Sequence, residues 1–240
     1  MGADLEVRVQ HAEFVAPESG VRIVEPTTLT LSQRRVSIIG ANGSGKSTLA
    51  RMINGLVTPT SGSVSVNELD TIKDGAKVRR QVGFLFTDPS SQLIMPTTIE
   101  DVTLSLRRSI KDRKERHKAA MQVLADIGLD DKADVSINSL SGGQRQLLAL
   151  AGVLAVTPTV IVADEPTTLL DMHWRAHVGA LLRSLPVQLI EVTHDLEAAA
   201  RADRTLVVDQ GSVVYDGAPS AAVAHYREMM LARAEGSSAS

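Results

Sequence analysis

Three short stretches of the 240-residue chain hold residue types that act on phosphates. Gly40-Ala41-Asn42-Gly43-Ser44-Gly45-Lys46-Ser47 fits the pattern G-x-x-x-x-G-K-[ST]. Its glycines let consecutive backbone N–H groups curl around a phosphate, the Lys46 ammonium supplies a point charge to β and γ oxygens, and the Ser47 hydroxyl can ligate magnesium. A plain glycine-rich turn requires neither the lysine nor the hydroxyl after it. The second stretch, Val160-Ile161-Val162-Ala163-Asp164-Glu165, is an apolar run ending in two carboxylates. At the C-terminal end of a parallel strand, Asp164 would hold magnesium through water and Glu165 would polarise an attacking water. The third, Leu140-Ser141-Gly142-Gly143-Gln144, opens an apolar pattern that runs through Leu147, Leu150, Val153 and Leu154. Ser141 suits a helix N-cap, and the amides behind it would attract an anion.

Taken in this order, the phosphate loop, the Leu-Ser-Gly-Gly-Gln segment and the Asp-Glu strand resemble the nucleotide-binding domain of ABC ATPases over nearly the whole chain. The resemblance implies ATP and Mg2+, with Gly40, Ala41, Asn42, Gly43, Ser44, Gly45, Lys46, Ser47 and Thr48 around the nucleotide, and Ser47 and Asp164 at the metal. It implies catalytic roles for Glu165, Lys46 and His194, the last in Val192-Thr193-His194-Asp195, where it would sense the γ-phosphate. In that family two domains dimerise head to tail. Leu140, Ser141, Gly142, Gly143 and Gln144 would therefore face ATP held by the partner copy's loop, and Asp171 in Thr168-Leu169-Leu170-Asp171 would contact that loop. Phe14, 26 residues before Gly40, stands where the family carries an aromatic that stacks on adenine.

One position departs from the family pattern. In the stretch from Val82 to Gln92, Thr87 occupies the place of a glutamine that touches magnesium and the attacking water. Threonine is shorter, so a bridging water, Asp88 or Gln92 would have to take over. The spacing Asp88-Pro89-x-x-Gln92, followed by Thr97-Thr98-Ile99-Glu100-Asp101-Val102, resembles the energy-coupling-factor subgroup, which drives vitamin and transition-metal-ion uptake. With little chain beyond His225-Tyr226-Arg227, the sequence is most similar to the ATPase of biotin uptake modules, with cobalt and nickel modules as rivals. The implied partners are a second copy or a paralogue, an integral-membrane coupling subunit and a substrate-binding membrane subunit, with no nucleic acid, at the cytoplasmic face of the cell membrane.

The elements that must position these residues follow from periodicity. Residues 36–39 predict a buried strand before the loop, and Leu49, Met52, Ile53 and Leu56 predict an apolar helix stripe after it. Val64 and Val66 alternate with polar residues, as in a half-buried strand of an antiparallel region near the N-terminus. Strands are expected at 82–86, 160–163, 187–192 and 205–208, and helices over 97–127 and 171–185. His173 and His177 have the spacing of a metal pair but no evident third ligand, and Trp174 shares a stripe with Val178, Leu181, Leu182 and Leu185, as packing would. This predicts an α/β P-loop NTPase fold: a mostly parallel sheet, an N-terminal antiparallel β region and an inserted α-helical subdomain. The expected organisation is one ABC ATPase domain, with 1–88 and 157–225 as core, 89–156 as helical subdomain, and 226–240 as helix end and frayed tail.

Composition agrees and narrows the class. Apolar residues make up 43% and charged ones 22%, which excludes a disordered or collagenous chain. Trp, Tyr and Phe number 1, 2 and 3, too few for a nucleic-acid stacking platform, and the net charge of −3 gives no global positive field. The absence of cysteine excludes disulfides and thiolate chemistry. The basic run over 107–118 is expected to be a solvated helix face. The first ten residues carry charges in place of an apolar signal core, and the longest apolar or small run, 147–156, is too short to span a bilayer.

Overall fold

Alternating valines and tight turns organise the start of the chain. The structure, a computed structural model, describes residues 5–238; residues 1–4 of the N-terminal stretch and 239–240 of the expected tail lie outside the described residues. Two compact units form, one from the chain up to Arg79 together with the part from Gln188 onward, the other from Arg80 to Val187. In order, the chain runs β1 (Val7–Val15), β2 (Arg22–Leu31), β3 (Arg35–Ile39), α1 (Lys46–Asn54), β4 (Ser61–Val66), β5 (Leu69–Asp70) and α2 (Gly75–Gln81). There follow β6 (Val82–Leu85), α3 (Thr98–Leu106), α4 (Arg113–Asp126), α5 (Gly142–Leu154), β7 (Val160–Asp164) and α6 (Met172–Ser184). The chain ends with β8 (Gln188–Val192), α7 (Leu196–Ala199), β9 (Arg204–Asp209), β10 (Ser212–Gly217) and α8 (Pro219–Ser238).

In the first unit, β1 pairs antiparallel with both β2 and β4. Val7 lies opposite Leu31 and Val66, and Val9 opposite Leu29 and Val64. These six side chains share one buried face, which is why polar residues alternate with them. The chain then forms β3, whose Val36, Ser37, Ile38 and Ile39 are all buried. Parallel neighbours on both sides, β8 and β9, explain the continuous apolar run, and β10 adds antiparallel to β9. Ile39 and Val207 are covered by Ala199 of α7 and by Ala222 and Val223 of α8, with Tyr215, Tyr226 and Met229 packed against them.

Leu49, Met52 and Ile53 of α1 are buried as expected, but Leu56 is 46% exposed. Gly55 adopts φ 74° and its N–H reaches back to the last helical turn, so the helix ends before Leu56 can join the stripe.

Arg204 clamps three strands of this unit. Its Nε and Nη2 donate to the two carboxylate oxygens of Asp216 at 2.6 Å each, and Nη1 donates to the Thr30 carbonyl at 2.7 Å. Arg204→Ala is expected to lower stability by about 2 kcal/mol, or roughly 5 °C of melting temperature in a chain of this size. Thermal denaturation checks this, and an unchanged midpoint would mean that solvent replaces the clamp.

The second unit pairs β6 and β7 in parallel, Val82 with Val160 through Leu85 with Ala163. A Cβ on Gly83 would strike Val153 of α5, so the glycine permits close strand–helix packing. The helical stretch expected over 97–127 is two helices. Asp112 accepts from the amides of Lys114 and Glu115 at 2.9 Å each, capping α4, and Arg116 Nη1 donates to the Ile110 carbonyl at 2.9 Å to hold the break. The lysines and most arginines over 107–118 are exposed, as a solvated face requires. The strands and helices thus form the expected α/β class, with an antiparallel β region, parallel strand pairs and a helical insertion. Among the described residues no helix is long and apolar enough to cross a membrane.

Candidate functional site

The loop between β3 and α1 is shaped by backbone conformations that only glycine adopts cheaply. Gly43 and Gly45 lie at φ 78° and 98°. A Cβ on Gly40 would strike the Val208 carbonyl oxygen, and one on Gly45 would strike that of Ile23. The loop is held from outside by a two-residue hairpin turn between β9 and β10, in which Gln210 and Gly211 both have positive φ. Gly211 N–H donates to the Ser44 carbonyl at 2.9 Å, and the Gly211 carbonyl accepts from Glu25 N–H at 2.9 Å. Sequence reasoning did not mark this clamp, although Gln-Gly between two β-branched runs is a turn signal.

The cradle so formed is a cavity of about 440 Å³ lined by Val21, Arg22, Ile23, residues 43–48, Gln210 and Gly211. Gly45 caps α1 without a side-chain bond and no acidic residue stands in the first turn, so the helix's first amides are presented to a ligand. Lys46 is only 4% exposed, and its Nζ donates to the Ala41 carbonyl at 2.8 Å. Ser44 borders the cavity, and its hydroxyl is buried without a hydrogen-bond partner, beside the space that a Cβ on Gly40 would fill. Ser47 and Thr48 border the same cavity. These features fit a phosphate chain.

His194 follows β8, the parallel neighbour of β3, so it and the loop leave the C-terminal ends of adjacent strands. It is exposed and held between buried Thr193, whose Oγ1 accepts from Asp195 N–H at 2.9 Å, and Asp195, which caps α7. Phe14 is half-buried on β1 opposite Val24, and it is not among the residues that line the cavity.

In the second unit, Asp164 ends β7 with 2% exposure. Glu165 follows at φ 50°, a left-handed conformation that costs a non-glycine residue energy and that concentrates at functional sites. Thr168 Oγ1 donates to Glu165 Oε2 at 2.9 Å and fixes the carboxylate; sequence reading quoted Thr168 only as the start of the Asp171 segment.

Thr87 Oγ1 donates to the Asp164 carbonyl at 2.7 Å. The two residues suggested as substitutes for the missing glutamine are engaged elsewhere. Asp88 accepts from Ser90 N–H at 2.9 Å, and this amide holds its carboxyl below the usual carboxylate range. Gln92 Nε2 donates to the Ala149 carbonyl of α5 at 3.2 Å, while Gln146 of α5 donates to the Phe86 carbonyl at 3.3 Å. Thr87 is thereby fastened on one side to the carboxylate strand and on the other, through Phe86, to α5. Thr87→Val is expected to cut ATP turnover about fivefold at unchanged KM, the effect of losing roughly 1 kcal/mol of positioning, whereas Thr87→Gln, whose amide can donate to the same carbonyl, keeps it. Steady-state kinetics of both variants tests the contact, and equal rates would remove its importance.

The cap expected at Ser141 is present as a capping box. Ser141 Oγ accepts from Gln144 N–H at 3.3 Å, and Gln144 Oε1 accepts from Ser141 N–H at 3.0 Å. Gln144 thus serves the turn itself. Leu140 is buried, Ser141 and Gly142 are exposed, and Gly143 is buried against the ring of Trp174. Asp171 is exposed and caps α6, accepting from Trp174 N–H at 2.9 Å, between Leu169 and Met172, which are 65% and 85% exposed.

A family model described as ABC transporter matches residues 25–168. The chain is 42% identical over 208 residues to a putative ABC transporter ATP-binding protein of Deinococcus radiodurans, covering 87% of this chain and 92% of that one. It is also 42% identical over 211 residues to the biotin transport ATP-binding protein BioM of Rhizobium etli, covering 88% and 94%. Among solved structures it resembles the dimeric post-hydrolysis state of the ATP-binding cassette MJ0796 bound to ADP and Pi, with a TM-score of 0.79, 30% identity, and coverage of 89% and 98%.

Proposed function

The chain belongs to the ABC transporter family, and from that premise we propose that it is the ATP-hydrolysing subunit of an energy-coupling-factor importer whose cargo is biotin. The observation that carries the nucleotide part is the cradle: positive-φ glycines, an uncapped α1 N-terminus, a buried lysine and an orphaned Ser44 hydroxyl around one cavity. The biotin part rests on the likeness to BioM, and the importer type also on a 37% identity over 226 residues to the energy-coupling factor transporter ATP-binding protein EcfA1 of Lactobacillus delbrueckii.

In this reading the loop amides and Lys46 Nζ bind the β- and γ-phosphates of ATP, Lys46 exchanging its Ala41 partner for phosphate oxygen. Ser47 and Asp164 each offer the hard oxygen that Mg2+ prefers, and the ion would neutralise charge on the phosphates. Glu165, fixed by Thr168, accepts a hydrogen bond from the attacking water and orients it. His194 donates an imidazole N–H to the γ-phosphate. Ser141, Gly143 and Asp171 act on the nucleotide of a partner copy, so ATP closes the dimer and hydrolysis opens it, and a membrane coupling subunit receives the motion at the cytoplasmic face. Phe14 stacks on adenine once the base is bound.

Steady-state ATP hydrolysis by the purified wild-type chain with magnesium tests the enzyme. Saturable turnover is expected; tight ATP binding without turnover would favour a nucleotide-gated module, the reading in which Thr87 in place of the family glutamine leaves ATP bound but slowly hydrolysed. Uptake of labelled biotin against labelled cobalt and nickel, in cells with and without the chain, tests the cargo. Loss of metal-ion uptake alone would replace biotin.

A further inference from the structure

Gly143 is the second glycine of the Leu-Ser-Gly-Gly-Gln segment, and its neighbour in space is the chain's only tryptophan. A Cβ built on Gly143 would fall within the indole of Trp174, with Cδ2, Cγ and Cε2 as its three nearest atoms. By contrast, a Cβ on Gly142 would meet nothing within 4 Å. The space that a side chain at Gly143 would need is thus taken by the ring. Trp174 stands in the first turn of α6, where its N–H donates to Asp171 Oδ1. The rings of His173 and His177 meet it edge-on at centroid distances of 5.6 and 5.8 Å, which restricts the indole further. Below it, Val178 and Leu182 continue into the buried face of α6.

We propose that Trp174 is a positioning residue that locks the Ser141–Gly143 turn to the Asp171 turn, so that the two elements reaching the partner copy's nucleotide move as one body. The contact requires glycine at position 143, because any Cβ there would overlap the indole. The proposal rests on the reading that Ser141, Gly143 and Asp171 act across a dimer. A flat ring against a bare Cα permits a closer approach of α5 and α6 than two side chains would allow. A rotation of Trp174 that swings the indole toward Gly143 must therefore displace the Ser141–Gly143 turn.

The test uses full-length protein carrying Glu165→Gln, in which ATP should hold the dimer together, and reads the protein concentration at half-dimerisation. Trp174→Ala is expected to raise that concentration at least fivefold while leaving fluorescent-ATP binding by the monomer unchanged, and Trp174→Phe to raise it less. Gly143→Ala should be as damaging when Trp174 is present but add less than twofold in the Trp174→Ala background, because the methyl then enters vacated space. Unchanged monomer binding separates positioning from misfolding. A Trp174→Ala protein that dimerises like its parent, or Gly143→Ala costing the same in both backgrounds, overturns the proposal alone. A Glu165→Gln parent that stays monomeric in ATP overturns the reading across the dimer, and the positioning role with it.

Discussion

Glu165→Gln is expected to lower steady-state ATP hydrolysis by on the order of a hundredfold or more while ATP affinity stays at the wild-type value. The substitution keeps shape and removes charge. A glutamine carbonyl oxygen still accepts from the Thr168 hydroxyl, which holds the carboxylate at 2.9 Å in the wild type, so the side chain keeps its position. The backbone at φ 50° is no harder for glutamine than for glutamate. None of the residues that line the phosphate cradle is changed. What disappears is the carboxylate that polarises the attacking water. Bound ATP then outlives the closing step, and a dimer should persist in ATP and magnesium by light scattering, where the wild type returns to monomer. Turnover within threefold of wild type would remove Glu165 from the chemistry and move attention to His194.

The parts of this fold that were legible in the sequence are those decided by neighbours along the chain. The apolar run of β3 and the alternation of β4 announce a buried strand and a half-buried one, because periodicity records which faces meet solvent. Ser141 announced its cap in the same way, and Gln144 three residues later would have announced the whole capping box. One expectation failed at a local break: Leu56 fits the helical stripe, yet Gly55 in a left-handed conformation ends α1 before it. The helical stretch over 97–127 is present, and Asp112 divides it into two helices. Long-range contacts left no trace. Thr87 and Asp164 are 77 positions apart, and neither spacing nor residue type predicts that the hydroxyl binds a backbone carbonyl. The same holds for Gly211 on Ser44 and for Trp174 on Gly143. Phosphate chemistry is readable because it needs particular residues in a row, whereas the shell that steadies those residues is assembled by topology.

That distinction gives the second large effect. Lys46→Ala and Gly45→Ala are both expected to lose ATP, each by on the order of a hundredfold, but for opposite physical reasons. Lys46 is buried, and its ammonium donates to the Ala41 carbonyl at 2.8 Å. Removing it deletes a charge-assisted contact to phosphate while relieving the cost of a desolvated cation. Stability without nucleotide should hold or rise slightly, and the rise in melting temperature on adding ATP should vanish. Gly45→Ala leaves every phosphate-binding group in place. It demands φ 98° of an alanine, and its Cβ would strike the Ile23 carbonyl oxygen, so the loop and the N-terminus of α1 must shift together. The unliganded protein should therefore lose about 2 kcal/mol as well as its nucleotide. Melting curves with and without ATP separate the two variants. A wild-type ATP shift in Lys46→Ala would mean that the ammonium never leaves Ala41 for phosphate, and a wild-type midpoint in unliganded Gly45→Ala would mean that the loop has room its backbone does not display. The contrast matters because the cradle then owes its affinity to two separable features, a charge that binds and a backbone path that only glycine can follow.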